Sequence, residues 1–334
     1  MIVETRDRAL LLETVDAPFK LIHPMRPQPG PGQVLVRIHA SGVNPLDTKI
    51  RAGKGGHARQ TLPAVLGMDL AGVVASVGEG VSNFAPGDEV YGMAGGIGGN
   101  PGTLADYQAL DADLLAKKPV NLDMRQAAAL PLVAITAWEG MVDRARVGAG
   151  HKVLVHGGAG GVGHVAIQIA RAFGAEVYAT GSAENLAVIE GFGAVAIDYR
   201  STAVEDYVAR HTDGRGFDIV YDTVGGATLD ASFQAVRHYT GHVVSALGWG
   251  EHKLAPLSFR GATYSGVFTL LPLLTGEGRK HHGEILAKVA RLVEDGKLKV
   301  RLDLHRFSLE EALDAHRLVA SGDAQGKVVV DLVG

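Results

Sequence analysis

Five glycines within seven residues, Gly157, Gly158, Gly160, Gly161 and Gly163, form the part of this chain whose spacing points most directly to chemistry. A turn with so few side chains lets a pyrophosphate approach the backbone closely. Apolar residues at helical spacing run from Val162 to Phe173 and close on Gly174. The helix they predict points its free N–H groups and positive dipole end at the turn, which favours an anion there. A short apolar strand, Lys152 to Val155, precedes the turn, and a second strand candidate, EVYAT, follows the helix. Glycines also close ordinary strand-to-helix turns. Here Gly158, Gly160 and Gly163 satisfy G-x-G-x-x-G with the required strand before and helix after, which favours a bound dinucleotide over a plain turn.

The elements around this motif fall into two patterns. Up to about Lys118 the chain holds short β-type runs separated by Gly and Pro, such as QVLVRIHASGV, LAGVVASVG and GDEVYGM, and reads as a small irregular β domain. From Arg125 a long helix candidate, RQAAALPLVAITAWEGMV, leads into alternating strands and helices, the pattern of a doubly wound parallel sheet. Helices are expected near Glu284 to Glu294 and Leu309 to Ala320, and a last strand, KVVVDLV, is expected to return to the first domain. The predicted class is therefore α/β. Residues 125–264 form the dinucleotide-binding domain; residues 1–124 and 265–334 form the substrate domain.

Composition narrows the partners. The 334 residues, 46% hydrophobic, suffice for two cores. With 32 basic against 36 acidic residues and no basic block, nothing favours nucleic acid or an anionic membrane, so a small molecule is the expected ligand. Early acids in MIVETRDRALLLE argue against a signal peptide, and no apolar run approaches the roughly 20 residues of a membrane span. A cytoplasmic location is expected. The absence of cysteine removes disulfides, thiolate nucleophiles and sulfur-dependent zinc sites.

Over nearly its whole length the chain resembles the medium-chain dehydrogenase/reductase superfamily, and within it the zinc-independent quinone oxidoreductase branch that includes zeta-crystallin. The resemblance is carried by Gly150 to Arg171 with its GAGGVG core, by SGVNPLDTKIRAG at 41 to 53, LGMDLAGVVASVGEGV at 66 to 81, PGDEVYG at 86 to 92 and YDTVGG at 221 to 226. It implies a GroES-like β domain with a Rossmann nucleotide-binding domain inserted in it. It also implies transfer of hydride from NADPH to an electrophilic acceptor, a quinone or an α,β-unsaturated carbonyl. A zinc-free carbonyl reductase, or an NADPH-binding sensor or structural protein, are the alternatives.

Departures from the zinc-dependent branch are equally informative. Gly42-Val43-Asn44 stands where that branch has Gly-Val-Cys, and Gly67-Met68-Asp69 where it has Gly-His-Glu. The third ligand position falls in apolar sequence near Val133. A catalytic zinc needs three protein ligands, so no zinc is expected. The fourteen histidines show no ligand spacing, and adjacent His281 and His282 diverge on a helix.

The site residues follow from the turn and the resemblance together. Gly157, Gly160, Gly161, Val162 and Gly163 are expected at the pyrophosphate. The second strand ends in Ala179-Thr180-Gly181-Ser182, without the acid that holds an NAD ribose. NADPH is therefore favoured over NADH, with Thr180 and Ser182 at the adenosine end. The resemblance adds Tyr199, followed by Arg200, at the adenosine phosphate. It places Asn44, Thr136, Val224 and Leu247 near the nicotinamide and its ribose, although strand-end packing is an equal reading for Tyr199, Val224 and Leu247. Asn44, Lys49 and Thr136 are the candidate catalytic donors for charge developing on the acceptor oxygen; for Lys49 a surface lysine paired with Asp47 is the favoured reading. The resemblance further implies a homodimer formed through an edge strand in TYSGVFTLL, at 263 to 271.

Overall fold

A computed structural model describes residues 7–333 of the chain. Eight strands come first: β1 (Ala9–Leu12), β2 (Lys20–Ile22), β3 (Gln33–Val43), β4 (Ala64–Val65), β5 (Asp69–Val77), β6 (Glu89–Met93), β7 (Tyr107–Asp111) and β8 (Leu115–Lys117). Six follow: β9 (Lys152–His156), β10 (Glu176–Gly181), β11 (Val195–Asp198), β12 (Ile219–Asp222), β13 (His242–Ser245) and β14 (Thr263–Gly266). Then come β15 (Phe307–Ser308) and β16 (Val328–Asp331).

Two compact units result. The first takes residues up to Leu132, then Leu270–Glu294 and the chain from Val300 onward; the second takes Val133–Thr269 and Asp295–Lys299. The changeovers, after Leu132 and Thr269, fall past those expected at 124 and 264, and Asp295–Lys299, expected in the substrate domain, belongs to the second unit.

In the first unit β3 is the spine. It is buried along most of its length and pairs antiparallel with β5, β7 and β16 in a sheet ordered β15-β16-β3-β5-β6-β8. The C-terminal strand does return to this unit, Val328 lying opposite Val43. A small second sheet runs β2-β1-β4. The second unit is a parallel sheet ordered β11-β10-β9-β12-β13-β14. Its central strands β9 and β12 are apolar and almost wholly buried, as strands of a parallel sheet covered on both faces must be.

The helix candidate from Arg125 is divided into three. After α1 (Pro45–Arg51), α2 (Met124–Ala128) is started by an Asp123–Gln126 capping box, and α3 (Pro131–Trp138) begins afresh at Pro131. Proline has no N–H to give to a continuing helix and disfavours helical backbone in the residue before it, so the break falls there. From Glu139 to Arg144 the chain continues as a π turn. α4 (Gly161–Ala172) follows the glycine turn as expected. The glycine-rich stretch from Ala94 to Leu104 is no free surface loop: Ile97 is fully buried, and the Asn100 amide donates to Leu273 O at 3.2 Å. Among the described residues no helix is long and apolar enough to cross a membrane.

Candidate functional site

In the second unit β9 ends at His156 and the chain turns through Gly157, whose φ of +71° only glycine adopts readily. Gly160 N donates to Gly157 O at 2.9 Å and His164 N to Gly160 O at 3.1 Å, closing the turn onto α4. A Cβ on Gly163 would overlap Gly157 O, so the close approach of helix and turn requires glycine there. Gly160 is exposed and Gly161 and Val162 are half-buried, which leaves the first-turn amides of α4 open on one side. This is the geometry an anion needs.

Thr180 shapes that turn from below. It is buried; its Oγ1 lies 3.1 Å from His156 Nδ1 and accepts from Gly157 N at 3.4 Å, while Gly158 N donates to Thr180 O at 2.9 Å. Burial pushes the His156 imidazole down to about 4, against an opposing pull from Asp222, so it stays neutral at pH 7. Sequence reading placed Thr180 at the cofactor and missed His156; the only signal was a polar residue closing an apolar strand.

The residues expected at the adenosine end come from the tips of β10 and β11. Tyr199 N donates to Gly181 O at 3.2 Å, which brings Tyr199 and Arg200 beside Ser182. Tyr199 is exposed, and the Arg200 guanidinium sits 5.7 Å from its ring centroid. Ser182 Oγ accepts from Asn185 Nδ2 at 3.1 Å. The structure also brings an acid here that the strand-end sequence did not show. The Ser182 hydroxyl beside Glu184 holds that carboxyl below its ordinary range, and Arg200 Nη1 lies 3.9 Å from Glu184 Oε2.

A single carboxylate organises the next two loops. Asp222, fully buried, accepts from Val224 N at 3.0 Å and Gly225 N at 2.9 Å through Oδ1, and from Ser245 Oγ at 2.7 Å through Oδ2. Ser245 Oγ in turn accepts from Leu247 N at 3.1 Å. Val224, half-exposed, and Leu247 are thereby held just past the C-terminal ends of the neighbouring strands β12 and β13. Neither Asp222 nor Ser245 was singled out in sequence, although an acid directly after an apolar strand and before a glycine pair is a readable sign. Thr136, in α3, is buried; Tyr221 Oη donates to its carbonyl at 2.7 Å, and its Oγ1 lies 3.0 Å from Thr269 Oγ1.

In the first unit Asn44 is drawn into a buried ionic knot. Its Nδ2 donates to Asp69 Oδ2 at 2.8 Å, and its Oδ1 accepts from Lys327 Nζ, which also donates to Val43 O at 3.1 Å. Asp69 Oδ1 accepts from Leu132 N, at the start of α3, at 2.9 Å. Asp47 Oδ2 accepts from Asn44 N at 2.8 Å, while its Oδ1 is buried without a partner. Asn44, Asp47 and Asp69 are 0% exposed and Lys327 is 6% exposed. Burial pushes Asp47 up to about 7 and Asp69 up to about 6, and pushes the Lys327 ammonium down. Asn44 thus spends its carbonyl and one N–H inside the protein, which makes it a keystone of the knot and not the open oxyanion donor expected from sequence. Lys49 is exposed and Asp47 faces inward, so the surface pair between them is not the arrangement found. Lys327 escaped sequence reading.

Similarity to known proteins covers both units. Residues 30–120 match the alcohol dehydrogenase GroES-like domain and residues 192–330 a domain described as zinc-binding dehydrogenase. The chain is 37% identical over 306 residues to the chloroplastic NADPH-dependent alkenal/one oxidoreductase of Arabidopsis thaliana, covering 89% of this chain and 72% of that one. It is 35% identical to a mycocerosic acid synthase-like polyketide synthase of Mycolicibacterium smegmatis, of whose length it spans only 14%. Among solved structures, an alcohol dehydrogenase superfamily protein from Novosphingobium aromaticivorans superposes with TM-score 0.96 at 56% identity, covering 98% of this chain and 100% of that one. The quinone oxidoreductase from Coxiella burnetii gives 0.83 at 30%, with the same coverage.

Proposed function

Because the chain belongs to the medium-chain dehydrogenase/reductase superfamily, we propose that it is a zinc-independent reductase of quinones or α,β-unsaturated carbonyls that uses NADPH. The observation that carries the reading is the open glycine turn at the head of α4, joined to an adenosine end with Arg200 in reach. Bound there, NADPH would supply the hydride. Gly160, Gly161 and Val162 would hold its pyrophosphate, Tyr199 and Arg200 its 2′-phosphate, and Val224 and Leu247 would flank its nicotinamide half.

Zinc does not fit the first unit. The positions that would be ligands hold Asn44, the Met68-Asp69 pair and apolar residues near Val133, and the cluster around Asn44 already encloses the Lys327 ammonium. A catalytic zinc wants three His, Cys or carboxylate ligands; only two carboxylates are present, both beside that buried cation. No step of the proposed reaction runs through a metal.

Cofactor preference rests on Arg200 prevailing over Glu184. Arg200→Ala would remove a charge-assisted hydrogen bond to the 2′-phosphate and is expected to lower the NADPH-to-NADH ratio of kcat/KM by roughly 10-fold. Glu184→Gln should raise it. The test is oxidation of each cofactor against quinones, enones, enals and saturated carbonyls, with a chelator in parallel. Equal kcat/KM for NADPH and NADH in the wild type would defeat the preference, and turnover of saturated carbonyls alone would make the chain a carbonyl reductase.

A homodimer through β14 belongs to the same reading. β14 is the edge of the parallel sheet, with Thr263, Tyr264 and Gly266 exposed, and an uncovered edge invites pairing. Light scattering should return twice the 34.9 kDa chain mass; the mass of one chain would count against it.

A further inference from the structure

Reducing an enone takes two events: hydride arrives at the β-carbon, and the enolate left behind takes a proton at its α-carbon. None of the cofactor-binding residues supplies that proton. The structure holds a line of three side chains, all in the second unit, that leads to the Thr136 hydroxyl. Thr136 Oγ1 lies 3.0 Å from Thr269 Oγ1, and Thr269 Oγ1 donates to Glu139 Oε2 at 3.3 Å. Thr136 and Thr269 are both 6% exposed, whereas Glu139 is only half-buried and can exchange protons with water. A threonine has a single O–H. When Thr269 gives its hydrogen to the carboxylate, the contact between the threonines is made by the Thr136 hydrogen; when Glu139 carries a proton and donates to Thr269, both donors reverse and the Thr136 hydrogen is released from that contact.

Backbone geometry supports a dedicated arrangement. Glu139 opens the π turn that continues α3, and Ala145 N donates to Gly140 O at 3.0 Å in the wider spacing of that turn. Such turns occur often at functional sites. Thr136 is held in place from the other side by the Tyr221 hydroxyl on its carbonyl.

We propose that Thr269 and Glu139 are positioning residues of a proton path that ends at Thr136, resting on the reductase reading and on the sequence expectation that Thr136 lies near the nicotinamide and the acceptor. In the step, the Thr136 O–H bond breaks as a C–H bond forms at the enolate α-carbon. Thr136 oxygen takes the Thr269 hydrogen, and Thr269 oxygen takes the proton of the Glu139 carboxylic acid. The acid is left as carboxylate and regains its proton from water, so each turnover consumes one hydride and one solvent proton.

The experiment compares wild type, Glu139→Gln, Thr269→Val and Thr269→Ser on one enone and one quinone, with NADPH affinity measured by fluorescence. Quinone reduction places its protons on oxygens, which water reaches without a relay. For the enone, kcat is expected to fall about 100-fold in Glu139→Gln and Thr269→Val, at the lower end of what a positioned proton donor contributes. Thr269→Ser should keep near-wild-type kcat, quinone turnover should change less than threefold, and the Kd for NADPH should stay within twofold. Unchanged enone kcat in both variants would overturn the path, and so would equal losses on enone and quinone with weakened NADPH binding, which mark structural damage. A wild type that reduces neither acceptor would instead remove the reductase reading itself.

Discussion

Replacing Lys327 with Met is expected to cost the fold about 3–5 kcal/mol, the usual penalty for removing one partner of a buried ionic group. The ammonium is enclosed with two carboxylates, and its Nζ supplies hydrogen bonds to Val43 O and Asn44 Oδ1. Without it Asp69 and Asp47 face each other uncompensated, and the Asn44 carbonyl loses its donor. The loss should depend on pH in a defined direction. Burial raises the folded pKa of Asp47 to about 7 and that of Asp69 to about 6, both above the ordinary aspartate value. A carboxyl whose pKa rises on folding binds its proton more tightly in the folded state, so its contribution is most favourable at low pH and is lost as pH rises through the folded pKa. Lys327→Met should therefore be less damaging at pH 5 than at pH 8. Lys327→Met combined with Asp69→Asn should recover part of the loss at pH 8. Urea midpoints at the two pH values check this; a single-variant penalty under 1 kcal/mol at pH 8 would show that the knot contributes little.

Gly163→Ala is expected to weaken NADPH binding by at least about 100-fold, near 2.7 kcal/mol. A Cβ there overlaps the Gly157 carbonyl, and backbone cannot yield as a flexible side chain can. Either the turn opens or α4 withdraws, and in both cases the first-turn amides cease to converge on one phosphate. Gly160→Ala separates binding from folding. Its φ is −73°, and its Cβ would lie 3.2 Å from Gly157 O, so a shift of a few tenths of an ångström accommodates it where Gly163 would need far more, and the methyl stands beside the exposed end of the turn. Gly163→Ala should lower both Tm and NADPH affinity, whereas Gly160→Ala should lower affinity with little change in Tm. Calorimetry and fluorescence titration measure the two quantities, and unchanged affinity in both variants would move the phosphate away from this turn.

How far the site could be read from sequence depended on how near its parts lie along the chain. The turn from Gly157 to Gly163, its strand and its helix were legible because strand, turn and helix signals occupy one contiguous stretch. The helix candidate from Arg125 was legible in composition but not in its divisions, since Pro131 ends one helix and begins another and the π turn has no periodicity of its own. Glu184 was two residues from Ser182 and still escaped notice, because the expected acid belongs at the strand end and not in the turn after it. The stretch from Ala94 to Leu104 is rich in glycine, which in sequence suggests a loose loop, yet it packs inward through contacts that include distant Leu273.

The amino-acid sequence by itself determined the glycine turn and the parallel sheet around it. Each of these rests on residue type at short spacing, where neighbouring backbone geometry does the positioning. Only the tertiary structure decided that Asn44 is locked between Asp69 and Lys327, that Asp222 ties two loops together through Ser245, and that Thr136, Thr269 and Glu139 stand in line. Asn44 and Lys327 are 283 positions apart and meet because β16 pairs antiparallel with β3. Until that pairing closes the loop between them, a buried ammonium has no carboxylates to balance it, and a lysine before an apolar strand looks like any other surface lysine.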